Sequence, residues 1–363
     1  MQPAVIEKSR HLVSRDLQLH SAILLMPSLL LTHPSEWPEK FSSIGCPSFY
    51  GKSAAQWVFQ KGIVDWKEMT NIPLELRQEL QEHSPLCSGT VVTESKCADG
   101  TTKILIKFPD GATTEAVSMP GGKGRTLCLS TQVGCPVRCT FCASGLDGLD
   151  RNLTRAEILE QVLFLWKAYG DFQRIVFMGL GDCGFNLEEV LAAVDILLDP
   201  EGANIAARRI TLSTVGPRGT FSKLARWGRP VNIALSLHAP DDTLRRQLVP
   251  GVAKRTIQET LAEAKALFEK TGREWTVEYV LLEGVNDSTK QAQELARLLR
   301  AERCHINLIP YNPVQELSWS RPSDSVCQQF AQTLKAFGLS VTTRLSRGVS
   351  KDAACGQLRR RSV

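Results

Sequence analysis

TLCLSTQVGCPVRCTFCASG, residues Thr126–Gly145, joins a short apolar run to three closely spaced cysteines. Thr126–Ser130 reads as a strand, and Cys135, Cys139 and Cys142 fall in the loop after it with the spacing C-x3-C-x2-C. Iron–sulfur clusters are held by cysteine thiolates in short local runs of this kind. Three ligands for a four-iron cube leave one iron without a protein donor, and an open coordination position marks a catalytic metal rather than a structural one. Structural zinc is the competing reading. It asks for C-x2-C pairs repeated downstream, and no second pair follows: Cys46, Cys87, Cys97, Cys183, Cys304 and Cys327 stand alone.

Beyond this stretch the chain alternates short apolar runs with amphipathic segments. The pattern predicts strands at Thr126–Ser130, Ile175–Met178, Ile210–Ser213, Val231–Ser236, Thr276–Leu281 and His305–Ile309, with a last short one at Ser340–Arg344. Helices are predicted at Thr154–Ala168, Leu187–Leu198, Thr256–Lys270 and Ser288–Leu299, the first opening on the capping box Thr154-x-x-Glu157. Six β-then-α units imply a parallel sheet with crossover helices. They are too few for an eight-fold barrel, so the expected fold is α/β, a partial (β/α)6 barrel, with a doubly wound sheet as the alternative. In both, ligands collect at the C-terminal ends of the strands.

Upstream the text differs. Ser53–Ile63 and Leu74–His83 carry helical patterns, while Thr101–Phe108 alternates like a half-buried strand closed by a turn at Asp110-Gly111. The expected organisation is an N-terminal helical accessory domain over residues 1–95 and a connecting β-hairpin over 96–124. The barrel then covers 125–345, followed by a C-terminal segment, 346–363. The apolar run Ala22–Leu31 superficially resembles a signal peptide. Glu7, Asp16 and Pro27 spoil that pattern, and the run is too short to span a bilayer, so it reads as a buried element.

Bulk numbers fit a soluble enzyme with an accessory module. The chain has 363 residues, 43% hydrophobic and 22% charged, and a net charge of +5. From Arg344 onward six basic residues face only Asp352, so the tail alone carries a net +5. Such a tail suits contact with phosphates or simply a solvated terminus. Eleven cysteines in a long chain of ordinary apolar content do not form a disulfide framework, and they point to a reducing compartment.

With the cysteine loop at the mouth of a β/α sheet, the chain resembles the radical S-adenosylmethionine superfamily. Further stretches narrow the resemblance to the RlmN/Cfr class of RNA adenosine methyltransferases: WKEMTNIP (Trp66–Pro73), TLCLSTQVGCPVRCTFC (Thr126–Cys142), RNLT (Arg151–Thr154), ALSLHAP (Ala234–Pro240), VEYVLLEGVND (Val277–Asp287), INLIPYNP (Ile306–Pro313) and AACGQL (Ala353–Leu358). The likeness runs from about Ser53 to Leu358.

This resemblance implies a 4Fe-4S cluster on Cys135, Cys139 and Cys142, and two S-adenosylmethionine molecules per turnover. It implies that Cys355 becomes S-methylated, that Cys128 is the resolving cysteine and that Glu115 is a proton acceptor. Gly181, Asp182, Ser213, Ser236, Leu237, His238 and Asn312 fall where the family contacts S-adenosylmethionine. The N-terminal module is similar to the family's RNA-binding domain. The family chemistry avoids a barrier: a carbon of the adenine ring is too poor a nucleophile to displace a methyl from a sulfonium. One cofactor methylates Cys355, and a second, cleaved reductively, yields a 5′-deoxyadenosyl radical. That radical takes hydrogen from the Cys355 methyl, and the methylene radical adds to the base. Cys128 then releases the product and leaves a disulfide with Cys355.

Three departures stand out. The family's Gly-Glu-Pro appears as Gly181-Asp182-Cys183, its acidic Gly-x-Asp-Ile element as GVSKD (Gly348–Asp352), and Val215 stands where serine is usual. The expected activity is methylation of C2 of adenosine in 23S rRNA and also in tRNA, in the cytoplasm, by a monomer. No membrane is involved, and the electron donor is one such as flavodoxin. C8 methylation, as in the Cfr branch, and a non-catalytic iron–sulfur RNA-binding protein are the alternatives.

Overall fold

Capping signals in the sequence translate directly into helix starts. Thr154, Thr256 and Ser288 each accept the backbone N–H three residues on, while Glu157, Glu259 and Gln291 answer back to the cap. Helices therefore span Arg155–Tyr169, Ile257–Thr271 and Thr289–Leu299, and Leu187–Leu198 forms as the pattern predicts. The computed structural model describes residues 20, 21, 23, 24, 26, 28–122, 124–344, 348 and 352–359.

Among these residues the strands are β1 (Thr90–Lys96), β2 (Thr102–Lys107), β3 (Thr113–Gly121), β4 (Gly124–Cys128), β5 (Gln132–Gly134), β6 (Leu149–Asn152), β7 (Phe172–Phe177), β8 (Ile210–Thr214), β9 (Asn232–Ser236), β10 (Trp275–Leu281), β11 (Cys304–Pro310) and β12 (Ser340–Thr343). Ten of them form one sheet in the order β1-β2-β3-β4-β7-β8-β9-β10-β11-β12, and β5 pairs with β6 alone. From β4 to β12 every neighbour is parallel. The order follows the sequence without reversal, whereas a doubly wound sheet reverses at a switch point. The fold is thus the open, barrel-like α/β arrangement. The hairpin expected over 96–124 is present as β2 and β3, and antiparallel β3–β4 pairing makes it an extension of the main sheet rather than a detached connector.

The chain divides into two units. One comprises Val91–Leu153, Asp171–Val190 and Ala206–Val363, and it holds the sheet. One face of its parallel strands is buried: Ile175, Phe177, Leu212, Leu235, Val277, Tyr279, Ile306 and Leu308 are all inaccessible or nearly so, while Val176, Thr211, Ser213, Ser236 and Val280 on the other face are half-buried. The other comprises Met1–Thr90, Thr154–Gly170 and Leu191–Ile205. Helices Trp37–Ser43, Ser48–Lys61 and Leu74–His83 build its small core around Trp37, Phe41, Phe59 and Trp66. The second helix begins five residues earlier than its apolar pattern announced, immediately after Pro47, where a first-turn N–H needs no partner. Ile23, Leu29 and Leu30 of the N-terminal apolar run are buried there, while Ala22, Leu25 and Pro27 lie outside the described residues. Among the described residues no helix is long and apolar enough to cross a membrane.

Candidate active site

The cysteine loop is closed at its base by β5 and β6, a pair that the sequence pattern did not announce. Gln132 faces Asn152, Val133 faces Arg151 and Gly134 faces Leu149. Gly134 has φ +81°, and a Cβ on it would lie 2.0 Å from the Gly148 carbonyl oxygen, so only glycine permits this closure. The Cys135 N–H donates to that same oxygen at 2.7 Å. Arg138, between the first two cysteines, sits in the left-handed region at φ +54°, a strained conformation for a long side chain. Neighbouring segments hold the turn from outside: Gly251 N donates to Val137 O at 2.8 Å, Thr140 N to Leu248 O at 3.1 Å, and Trp319 Nε1 to Thr140 O at 2.7 Å.

All three cysteines line one cavity of about 140 Å³ at the C-terminal ends of the parallel strands. Their sulfurs do not all fall within 4.8 Å of one another; among the described residues only His20, Glu79 and His83 form such a group. One zinc ion with Zn–S bonds of about 2.3 Å would draw its sulfurs closer than that. A wider thiol triangle with no fourth protein ligand suits a multinuclear cluster, so the donor set fits the 4Fe-4S group. Burial pushes each thiol up, Cys135 to about 12, and the neighbouring cysteines push Cys135 and Cys139 further. Metal charge is what would hold all three as thiolates.

Gly181, Asp182, Ser213, Ser236, His238 and Asn312 line the same cavity. Leu237 does not: it is fully buried, and its N–H donates to Glu278 O at 3.0 Å. Asp182 is nearly inaccessible and already well occupied. Its Oδ1 accepts from Thr214 Oγ1 at 2.7 Å and Gly184 N at 2.8 Å, and its Oδ2 from Val215 N at 2.6 Å. One lone pair on Oδ2 remains for a ligand. Burial outweighs these bonds and raises the carboxyl to about 6. His238, at φ +63°, accepts from Val280 N through Nδ1 at 3.1 Å, so a neutral ring carries its proton on Nε2. Burial, then the nearby Arg245, lower its pKa to about 3, which keeps the ring neutral. Glu278 Oε2 and Asn312 Oδ1 are buried without partners, and both residues line the cavity. Such orphaned acceptors suit a ligand rich in donors, and the ammonium and ribose hydroxyls of S-adenosylmethionine supply them.

A second, larger cleft of about 570 Å³ lies behind the first. The two share Met178, Ile309, Asn312, Arg344 and Cys355 as a common wall. Cys128 lines the second cleft only. Both Cys128 and Cys355 are free thiols. Cys355 is solvent-accessible, yet protein crowded around it raises its pKa, and burial raises Cys128 more strongly. Arg344 opposes the rise at both thiols.

Glu115 is not brought to either cavity. It is 1% exposed, its Oε1 pairs with Lys103 Nζ at 2.8 Å, and its Oε2 accepts from Arg359 N at 2.8 Å. It therefore grips the C-terminal segment rather than facing a reacting atom. That segment is further pinned by Ala143 N to Gly356 O at 2.8 Å, Ser144 Oγ to Leu358 O at 2.8 Å and Asn312 Nδ2 to Cys355 O at 3.0 Å.

Sequence reasoning missed Glu278, Tyr311 and Arg344 as cavity residues. The first two sit inside the quoted stretches VEYVLLEGVND and INLIPYNP, which was the available signal. Arg344 entered only as tail charge. In the fold it pairs with Glu278 at 3.5 Å, and Arg359 pairs with Asp147 and Glu316. Of the remaining tail cations, Arg347, Lys351, Arg360 and Arg361 lie outside the described residues.

Comparisons with known proteins bear on the family and the fold. The Radical SAM superfamily matches residues 129–298, and the ribosomal RNA large subunit methyltransferase N-terminal domain matches residues 30–86. A probable dual-specificity RNA methyltransferase RlmN of Rhodopirellula baltica is 44% identical over 319 residues, covering 87% of this chain and 86% of that one. Its counterpart from Symbiobacterium thermophilum is 44% identical over 332 residues, 90% of each chain. The crystal structure of a radical SAM methyltransferase from Sphaerobacter thermophilus superposes with a TM-score of 0.89 at 42% identity, over 92% of this chain and 99% of that one.

Proposed function

The chain belongs to the RlmN family of radical S-adenosylmethionine enzymes, and we propose that it methylates C2 of adenosine in 23S rRNA and in tRNA through a methyl group carried on Cys355. The observation that carries this reading is the position of Cys355 on the wall shared by two cavities. On one side are the cluster cysteines and the residues fitted to S-adenosylmethionine. On the other is Cys128.

In the first step the Cys355 thiol loses its proton and displaces the methyl of one S-adenosylmethionine, leaving S-adenosylhomocysteine and a thioether. Cys135, Cys139 and Cys142 would hold the cluster, which would supply the single electron that cleaves a second cofactor molecule at its sulfur–carbon bond; methionine would leave, and the Cys355 methyl would lose a hydrogen atom to the deoxyadenosyl fragment. Arg344 and Asn312 hold the carrier at the shared wall while its methylene joins the adenine carbon in the larger cleft. That base must leave its stack to enter. The adduct would return one electron to the cluster, oxidised by the earlier cleavage, its ring carbon would give up its proton to water, and the Cys128 thiolate then attacks the Cys355 sulfur. A sulfur–sulfur bond forms, the sulfur–methylene bond breaks, and the departing carbon takes a proton to become the methyl of the product. External thiols reduce the disulfide.

Asp182 is assigned to the cofactor's ammonium through its remaining lone pair, and neutral His238 to a donor role through Nε2. The proton-acceptor role of Glu115 lacks comparable support, because both its oxygens are engaged away from the cavities. A one-electron donor such as flavodoxin, a reducing cytoplasm and a monomeric enzyme complete the reading.

Mass spectrometry of nucleosides from rRNA and tRNA treated with reconstituted enzyme tests it. 2-Methyladenosine is expected, 8-methyladenosine would move the chain to the Cfr chemistry, and no modified adenosine would refute the activity. Cys128→Ala should trap a protein–RNA adduct that survives denaturation and disappears on nuclease treatment. Cys355→Ala, alone or combined with Cys128→Ala, should trap nothing.

A further inference from the structure

The larger cleft has a one-sided charge. Arg174, Arg208, Arg209 and Arg344 line it, and among the described residues no aspartate or glutamate does. Arg344 belongs to the shared wall and is paired with Glu278. The other three are different. Arg174, on β7, and Arg208 and Arg209, immediately before β8, are all exposed. Among the described residues none of their guanidinium groups has a carboxylate partner, whereas Arg151, Arg218, Arg255, Arg321 and Arg359 all do. Three uncompensated cations gathered at one mouth repel one another, and an anionic ligand relieves that repulsion.

Strand register shows what the mouth leads to. Cys128 on β4 stands beside Val176 on β7, which stands beside Thr211 on β8, which stands beside Asn232 on β9. All four line the cleft. Arg174 lies one step nearer the strand starts, opposite Thr126, and shares a face of β7 with Val176 and Met178. From Arg174 to the shared wall at Met178 is four residues of strand, about 13 Å. The shared wall holds Cys355, Met178 and Ile309 beside Arg344 and Asn312, and the exposed Arg174, Arg208 and Arg209 lie toward the strand starts. A single extruded nucleotide has the same polarity, with its base leading and its phosphates trailing.

We infer that Arg174, Arg208 and Arg209 form a phosphate-recognition rim that grips the RNA backbone on either side of the target adenosine while its base reaches Cys355. Guanidinium forks suit phosphate oxygens geometrically, and such bonds set the register of the nucleic acid without reading its sequence. The inference rests on the RNA methyltransferase reading above and specifies which residues of this chain receive the substrate.

The test uses full-length, cluster-loaded protein and a 23S rRNA fragment, with affinity measured across a series of salt concentrations. Each arginine replaced by alanine should weaken binding roughly tenfold, as expected when a charge-assisted hydrogen bond is removed. The triple variant should flatten the slope of log affinity against log salt by about 2, at roughly 0.7 for each phosphate no longer neutralised. Arg208→Lys/Arg209→Lys should restore most of the slope, because charge persists while fork geometry does not. Iron content and S-adenosylmethionine affinity are read alongside to show that the variants are folded. A wild type that methylates RNA beside a folded triple variant of unchanged affinity and slope overturns the rim alone. A wild type that neither binds nor methylates RNA overturns the functional reading and the rim with it.

Discussion

The loop carrying Cys135, Cys139 and Cys142 and the segment carrying Cys355 both lack regular structure, but they are held in different ways. The cluster loop is closed by its own neighbours. Gly134 and Gly148 meet at its base, Cys135 N bonds Gly148 O, and Cys142 N bonds Cys139 O at 3.1 Å. The Cys355 segment has local bonds too, Ala353 N to Gly348 O, Gln357 N to Ala354 O and Ala354 N to Gln357 Oε1, but it is also tied down from far along the chain. Its distant pins come from Glu115, Ser144, Asn312 and Pro313, residues from 43 to 244 positions away. A metal site needs fixed donors, and short-range closure supplies them at little entropic cost. On the proposed reading Cys355 serves two cavities, and separable hydrogen bonds let its segment shift without unfolding the sheet.

The comparison breaks most completely at the cluster. Cys139→Ala should abolish iron and sulfide incorporation and the brown charge-transfer absorbance on anaerobic reconstitution. One equivalent of zinc without labile sulfide in the wild type would show that the loop is structural. By contrast, Cys355→Ala should leave iron content intact.

Next in size is the anchor of the carrier. Glu115→Ala strands the Lys103 ammonium, itself mostly buried, and breaking a buried pair costs about 3–5 kcal/mol. Denaturant unfolding should register that loss. Hydrogen exchange in residues 352–359 and the reactivity of Cys355 toward alkylating reagents should rise while iron content holds. Unaltered exchange there would show that Glu115 does not position the segment.

Asp182 probes the cofactor side of the shared wall. Asp182→Ala should weaken S-adenosylmethionine binding about 10- to 150-fold, from a charge-assisted bond of roughly 1.5–3 kcal/mol. Equilibrium dialysis reads the change directly. Asp182→Glu should also weaken binding, because the added methylene must displace Thr214 or the Val215 N–H from a site fitted to the shorter chain. Wild-type affinity in the Glu variant would show that the pocket has not re-formed around aspartate.

A smaller, pH-dependent effect comes from His238. Its pKa in the folded chain, about 3, lies below the ordinary histidine value near 6.5. Its contribution to stability is therefore complete above about 6.5 and is lost as pH falls from there toward 3, by at most about 1.4 kcal/mol per pH unit. Unfolding free energies of wild type and His238→Gln, measured between pH 7 and 5 (roughly the window before carboxylates titrate), should converge as pH falls. Parallel curves would contradict a neutral buried ring. Smallest of all, Ser144→Ala removes one bond to Leu358 O and should cost about 1 kcal/mol, seen in the exchange of the carrier segment before it is seen in global unfolding.

The sequence was most legible where information is local. The capping box at Thr154 marked a helix start, the starts expected at Thr256 and Ser288 fall on N-caps, and the strand runs from Thr126 to Arg344 appear in the sheet within a few residues. Helices Thr220–Trp227, Asp242–Leu248 and Asp324–Ala336 escaped notice, the first two being short, the last although its buried Cys327, Phe330, Ala331 and Leu334 keep a helical spacing. Six of the seven residues matched to the cofactor line the cavity, and Leu237 does not, because consecutive residues at the end of β9 alternate between the cavity and the core.

By itself the sequence determined the spacing of Cys135, Cys139 and Cys142, the alternation of strands and helices, and the family to which both belong. Each depends on residues a few positions apart, whose spacing is preserved whatever the rest of the chain does. Only the tertiary structure decided that Arg344 faces both thiols, that Glu115 holds the segment of Cys355, that Asp182 is already bonded three times over, and that Arg174, Arg208 and Arg209, without carboxylate partners among the described residues, line the second cleft. Those facts arise from groups tens or hundreds of residues apart that meet only when the parallel sheet closes, and their charges and hydrogen bonds acquire partners, or lack them, at that moment.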